Sequence, residues 1–278
     1  MVKLNGEIVC PNYFPDGTLN LSANELPTSS QDVHIEWYYD SDDEFILVAY
    51  LAMFYKNLGC GRSLFLPYLP NARMDRVKYR TDVFSLKFFA ALLNALEFDE
   101  VYVLDPHSSV SEALIENLHI VKSDHLFSNV YDNIASDYDV EPIVIYPDEG
   151  AMKRYTQTSC RTYPYAFGIK NRDWKTGEIK DLEIFGVTPD EIVGRPAIIR
   201  DDICSYGGTF YYTAKKLKEM GAGDIYLFVT HCEDSVHEGN FYGYPLLNTG
   251  LIKHLYTTNS IYHLPEDNKV TVYNASEV

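Results

Sequence analysis

One stretch constrains the chain more than any other: Ala197-Ile198-Ile199-Arg200-Asp201-Asp202-Ile203-Cys204-Ser205-Tyr206-Gly207-Gly208-Thr209. An apolar strand carries two carboxylates to its tip. A glycine-bearing turn then opens a helix, so that backbone N–H groups cradle a phosphate with help from the Ser205 and Thr209 hydroxyls. Paired aspartates beside that cradle suit the vicinal hydroxyls of a ribose. The competing reading is a helix N-terminus with acids favoured by the dipole. Two aspartates alone would favour it. The whole pattern D-D-x-x-S-x-G-G-T after a strand favours the ligand cradle.

The rest of the chain alternates in the same rhythm. Apolar positions from 43 to 58 (Phe45, Ile46, Val48, Ala49, Ala52, Met53 and Tyr55) recur at helical spacing. Ser63-Leu64-Phe65-Leu66 reads as a buried strand stopped by Pro67, and a helix is expected over 83–96. Strands are expected at 100–104, 142–146, 196–200 and 224–230, with a helix over 209–220 capped by Gly221. Polar residues follow several strands directly, where open α/β sheets bind ligands. The alternation predicts an α/β chain with mainly parallel sheets flanked by helices. The division is expected between about Ser123 and Glu141, giving domains 1–130 and 131–278.

Charge sets the second constraint. Among 278 residues, 40 acidic against 23 basic side chains give a formal net charge of -17. So acidic a surface excludes general binding of nucleic acid. Phosphates must then be met by locally gathered cations or by metal ions. The cysteines (Cys10, Cys60, Cys160, Cys204 and Cys232) show no C-x-x-C pair, which predicts a reducing, cytoplasmic setting. No apolar run approaches the roughly 20 residues that span a bilayer. Met1-Val2-Lys3-Leu4 lacks the apolar core of a secretion signal, so no membrane partner is expected.

Further motifs narrow the reading. The 197–209 segment resembles the phosphoribosyl-pyrophosphate (PRPP) binding loop of the phosphoribosyltransferase superfamily. Phe14-Pro15-Asp16-Gly17-Thr18 looks like the F-S-D-G-E loop of PRPP synthetases, the ribose-phosphate pyrophosphokinases. Pro67-Tyr68-Leu69-Pro70-Asn71-Ala72-Arg73-Met74-Asp75-Arg76 is similar to their P-Y-x-x-Y-A-R-Q-D-R. Leu104-Asp105-Pro106-His107-Ser108 resembles D-L-H-A, and Tyr146-Pro147-Asp148-Glu149-Gly150 resembles S-P-D-x-G. Ile169-Lys170-Asn171-Arg172 looks like the catalytic-loop D-K-R-R. The motifs stand in family order from about residue 13 to residue 260.

That resemblance implies two phosphoribosyltransferase-like domains with the active site between them. The implied reaction moves the β,γ-diphosphoryl group of ATP to the anomeric hydroxyl of ribose 5-phosphate, giving PRPP and AMP. Lys170 and Arg172 match the catalytic cations that neutralise the transferring group; without the family match they read as solvated cations in a polar loop, 170–180, which carries Gly177 and is expected to close over substrate. Asp16, Gly17, Thr18, Arg73, Met74, Asp75 and His107 match the ATP side. Asp201, Asp202, Ser205, Tyr206, Gly207, Gly208 and Thr209 match the ribose-phosphate side. His107 and Asp148, on loops after neighbouring strands, match the positions for Mg²⁺, the implied cofactor. A homo-oligomer, dimer or hexamer, is also implied.

The departures from the family pattern lie at nucleotide and phosphate positions. Thr18 replaces the family glutamate and Met74 its glutamine. Ser205-Tyr206 replaces the usual D-T, removing a charge and adding an aromatic face. The segment before Phe14 is short and the usual C-terminal helix is missing, so the first domain is expected to be trimmed. A larger acceptor such as ADP-ribose, whose pyrophosphorylated form could serve NAD rebuilding, is the alternative substrate. A phosphoribosyltransferase would leave the A-R-M-D-R, D-P-H-S and K-N-R motifs unexplained. A non-catalytic nucleotide-binding relative is the remaining alternative, against which stand His107, Asp148, Lys170, Arg172 and Asp201.

Overall fold

Strands buried on both faces read as continuous apolar runs, and the chain uses several. In the computed structural model, which describes residues 1–26, 32–158, 161–172 and 179–278, all eight residues of Ile225–Cys232 are buried. The chain divides into two units, Met1–Val121 and Lys122–Val278. Among the described residues no helix is long and apolar enough to cross a membrane.

The first unit opens with short strands: β1 (Val2–Leu4), β2 (Glu7–Ile8), β3 (Asn12–Tyr13) and β4 (Leu19–Asn20). Then β5 (Val33–Trp37), α1 (Glu44–Asn57), β6 (Arg62–Leu66), α2 (Ser85–Asn94), β7 (Glu100–Leu104), α3 (Val110–Leu114) and β8 (Leu118–Val121) follow in alternation. The described sheet runs β2-β1-β5-β6-β7-β8. It is parallel from β5 to β8 and antiparallel where β1 pairs with β2 and β5. Leu47, Val48, Leu51, Ala52 and Tyr55 of α1 recur at three- and four-residue steps, so one stripe faces the sheet. It packs with Leu86, Ala90 and Leu93 of α2 over Ile35, Trp37, Leu64 and Val101.

The second unit begins with α4 (Asp124–Ala135), which crosses the division expected at 130 and packs wholly in this unit through Phe127, Val130 and Tyr131. There follow β9 (Ile143–Tyr146), α5 (Glu149–Thr158), β10 (Tyr165–Arg172), β11 (Ile179–Phe185), α6 (Pro189–Ile192), β12 (Ala197–Cys204), α7 (Gly208–Glu219), β13 (Ile225–Cys232), β14 (His254–Thr258) and β15 (Val270–Tyr273). The described sheet order is β11-β10-β9-β12-β13-β14-β15. Only the β10–β11 pair is antiparallel within it.

That order sets a switch point. From β9 the chain crosses through α5 to β10 on one side, and from β12 through α7 to β13 on the other. Ala151 and Tyr155 of α5 pack on one face with Tyr146, Ile198 and Phe228. Phe210, Ala214 and Leu217 of α7 pack on the opposite face with Ile145, Ile199 and Leu227. Adjacent strands whose connections depart in opposite directions leave a crevice at their carboxyl ends, the usual ligand position of such sheets. The loops after β9 and β12 both open there.

The α/β class and mainly parallel sheets hold as expected. Two local expectations change. The strand expected to end at Arg200 continues to Cys204, because Asp201, Ile203 and Cys204 stay in register with Val229, His231 and Cys232. Lys170 and Arg172, expected in a loop, lie on β10, whose register pairs Lys170 with Leu182 and Arg172 with Ile179. The expected closing loop around Gly177 lies outside the described residues.

Candidate functional site

In the first unit, Asp16, Gly17 and Thr18 form an exposed turn between β3 and β4. Gly17 donates its N–H to Phe14 O at 2.8 Å, and Phe14 N–H reaches Thr18 O at 2.9 Å. A φ of 84° at the turn falls on Gly17, the residue that adopts it without a Cβ penalty. Asp16 Oδ1 accepts the Thr18 N–H at 3.0 Å and the Thr18 hydroxyl at 2.7 Å. Those two bonds, the backbone one first, hold the Asp16 carboxyl below its ordinary range.

Past β6, Arg73 and Met74 are exposed while Asp75 is buried. Arg76 grips Asp75 with two donors, Nε at 2.6 Å and Nη2 at 2.7 Å. This fork lowers the Asp75 carboxyl, with smaller contributions from the Ser108 hydroxyl and His107. Asp75 is therefore a packed ion-pair partner of Arg76. Asp105 turns the chain after β7 with a φ of 40°, a left-handed conformation that aspartate tolerates better than most residues. His107 follows, half-buried.

In the second unit, Asp148 caps α5: its Oδ1 accepts the Ala151 N–H at 3.0 Å. Asp201 and Asp202 are consecutive on β12, and strand pleating sends neighbours to opposite faces. Asp202 is 3% exposed and pairs with Arg154 of α5, Nη1 to Oδ1 at 3.0 Å. Asp201 keeps accessible surface. Dense surroundings, then the Asp202 carboxylate and more weakly Asp148, push the Asp201 carboxyl well above the ordinary range. Those three carboxylates thus share one electrostatic neighbourhood at the switch point.

The Ser205–Thr209 loop meets α7 through Gly207, whose φ is 89°. A Cβ there would stand 2.6 Å from Leu246 Cδ2, so only glycine fits. No side chain caps the helix, and nothing lies within 4 Å of a Cβ built on Gly208. The first-turn N–H groups thus meet no capping side chain among the described residues. Tyr206 is 57% exposed. A Cβ on Gly239 would meet its carbonyl oxygen at 2.4 Å, which seats the Gly239–Tyr244 turn against the loop.

The two positions expected for a metal, His107 and Asp148, follow strands of different sheets, β7 and β9, not neighbouring strands. Among the described residues no three His, Cys, Asp or Glu side chains are grouped as a metal centre. The side chains of Lys170 and Arg172 lie outside the description. Arg154, Tyr155, Gly239 and Leu246 were missed in the sequence. The helix carrying Arg154 begins within Tyr146-Pro147-Asp148-Glu149-Gly150, at Glu149. Arg200 offered a signal, a lone charge inside an apolar strand.

No family model matches the chain. It is 26% identical over 238 residues to a ribose-phosphate pyrophosphokinase of Saccharolobus solfataricus, covering 83% of this chain and 77% of that one. It is 27% identical over 272 residues to that of Sulfurisphaera tokodaii, covering 95% and 87%. A shorter match, to the enzyme of Cereibacter sphaeroides, reaches 31% over 173 residues, 60% of this chain and 48% of the other. In structure it resembles phosphoribosylpyrophosphate synthetase from Mycobacterium smegmatis, with a TM-score of 0.73 and 19% identity over 96% of this chain and 86% of that one. By sequence the chain is similar to the ribose-phosphate pyrophosphokinases, and its fold is like that of phosphoribosylpyrophosphate synthetase.

Proposed function

We propose that the protein is a Mg²⁺-dependent pyrophosphokinase that transfers the diphosphoryl group of ATP to the anomeric hydroxyl of a phosphorylated ribose, releasing AMP. The observation that carries the reading is the crevice at the β9–β12 switch point. It gathers Asp148, Asp201 and the uncapped amino end of α7, so one site offers hydroxyl acceptors beside phosphate donors. The 5-phosphate accepts from the first-turn N–H groups, and Asp201 accepts from the ribose hydroxyls. Arg73 and the Asp16 turn serve the nucleotide.

The carboxylate of Asp148 suits magnesium. A hard cation that keeps several waters needs one or two protein ligands and completes its shell on substrate phosphates. Asp148 would supply one such ligand in the second unit, and His107 is the position that the resemblance gives in the first. Bound there, the metal would neutralise charge that an acidic chain cannot. Lys170 and Arg172 would stabilise the diphosphoryl group as its charge shifts.

Ribose 5-phosphate is the first acceptor. ADP-ribose is the second, favoured by one observation. Tyr206 and, at 83% exposure, Tyr242 stand beside a turn in which Phe241 stacks on Tyr211 with centroids 4.6 Å apart. Exposed rings next to a phosphate cradle suit a stacked base. AMP release with ATP, Mg²⁺ and each acceptor separates them: turnover with ribose 5-phosphate alone removes ADP-ribose, and none with either overturns the reading.

A further inference from the structure

Two cations lie in the second unit where an apolar side chain would serve packing at less cost. Arg200, on β12 immediately before Asp201, is 0% exposed. Its guanidinium lies 4.1 Å from the Phe127 ring centre and 4.0 Å from that of Tyr155, and Nη2 donates to Asp124 Oδ1 at 2.9 Å. Among the described residues its Nε and Nη1 have no hydrogen-bond partner. Two residues on, and on the same face of the strand, Asp202 meets Arg154. Burying Arg200 and Asp202 costs several kcal/mol each before pairing repays it, while Arg154 keeps 23% of its side chain exposed, so stability alone is a poor reason for these pairs.

What the two pairs share is α5. Arg154 and Tyr155 are consecutive on it, one gripping Asp202 and the other stacked on Arg200. The same helix begins at Asp148, whose carboxylate caps its first turn. The grip at residues 200 and 202 therefore fixes where Asp148 stands relative to Asp201.

We propose that Arg154 is a positioning residue: through its ion pair with Asp202 it holds α5, and with it Asp148, in register with the strand that carries Asp201. Asp202 is then a strut rather than a second ligand of the ribose hydroxyls. This assignment of a role in substrate alignment rests on the pyrophosphokinase reading of the site.

The test uses the full chain as wild type, Arg154→Met, Arg154→Lys, Asp202→Asn and the Arg154→Met/Asp202→Asn double variant. Residue-resolved hydrogen exchange reads the helix without reference to activity. Arg154→Met is expected to speed exchange at the Ala151 amide about tenfold or more while β13 amides keep their protection, and Arg154→Lys to restore it. In the AMP-release assay, Arg154→Met is expected to raise KM for the ribose phosphate about tenfold or more, with Arg154→Lys between it and wild type. The double variant is expected to be no worse than the worse single one, because both remove one contact.

Unchanged Ala151 exchange in Arg154→Met overturns the positioning, whatever the kinetics. So does a double variant whose loss is the product of the single losses, since Asp202 would then act on the ligand by itself. Altered exchange in a protein whose wild type releases no AMP upholds the coupling and overturns the pyrophosphokinase reading. Should Arg154→Met fail to fold, Arg154→Lys and Asp202→Asn carry the same comparison.

Discussion

A Cβ placed on Gly207 would stand 2.6 Å from Leu246 Cδ2, and the φ of 89° at Gly207 is one that L-residues rarely adopt. Gly207→Ala therefore meets a steric and a conformational penalty together. It is expected to cost about 1–3 kcal/mol in urea unfolding. Gly207→Ala with Leu246→Ala removes the 2.6 Å contact but keeps the one at 3.0 Å to the Cβ of residue 246 and the φ penalty, and it adds a cavity, so it should not return to wild-type stability.

Asp16 owes its lowered pKa to Thr18, first through the backbone N–H and then through the hydroxyl. Thr18→Val keeps the backbone bond and loses the other. NMR titration should show the Asp16 carboxyl moving part of the way back toward its ordinary range. An unchanged titration would mean that the hydroxyl does not hold the carboxylate.

Asp201 is raised by its dense surroundings and by Asp202, so the sign runs opposite to the usual carboxylate. Its folded form holds the proton more tightly than the unfolded chain. The stability that Asp201 contributes is present at low pH and is lost as pH rises from the unfolded value of about 4 toward the folded one. In chelator, Asp201→Asn is expected to melt higher than wild type at pH 7. The gap should close below about pH 4. The same variant is expected to lose turnover.

Arg200 and Asp124 make an ion pair in an aromatic cage. Removing one partner and its volume with Arg200→Ala is expected to cost about 3–5 kcal/mol in urea unfolding. Arg200→Met with Asp124→Asn fills the space without a charge and is expected to recover most of that loss. Equal losses in both would show that the guanidinium itself sustains the fold.

How much of this was legible depends on where the information sits. The Ser205–Thr209 loop could be read directly, since two aspartates, a glycine pair and hydroxyls in fixed order admit few backbones. The helix Glu44–Asn57 was readable from its apolar spacing, but not its buried face: Ile46 and Met53 are exposed, and Leu47 and Leu51 lie in the core. The end of β12 was not: aspartates look like a strand terminus, yet register with Val229 and His231 carries the strand through them. Arg154 was illegible because its meaning comes from Asp202, 48 positions away in sequence and 3.0 Å away in space. His107 and Asp148 each follow a strand, but sequence could not show that those strands belong to different sheets.

Movement of the diphosphoryl group as one unit is read by phosphorus NMR of the reaction. With ATP, Mg²⁺ and ribose 5-phosphate or ADP-ribose, the account predicts AMP and a sugar 1-diphosphate whose two phosphorus signals arise together. Lys170→Ala is expected to lower the rate by at least about 10³-fold with an unchanged melting temperature. ADP with a sugar monophosphate, or no transfer to either acceptor, would contradict the account.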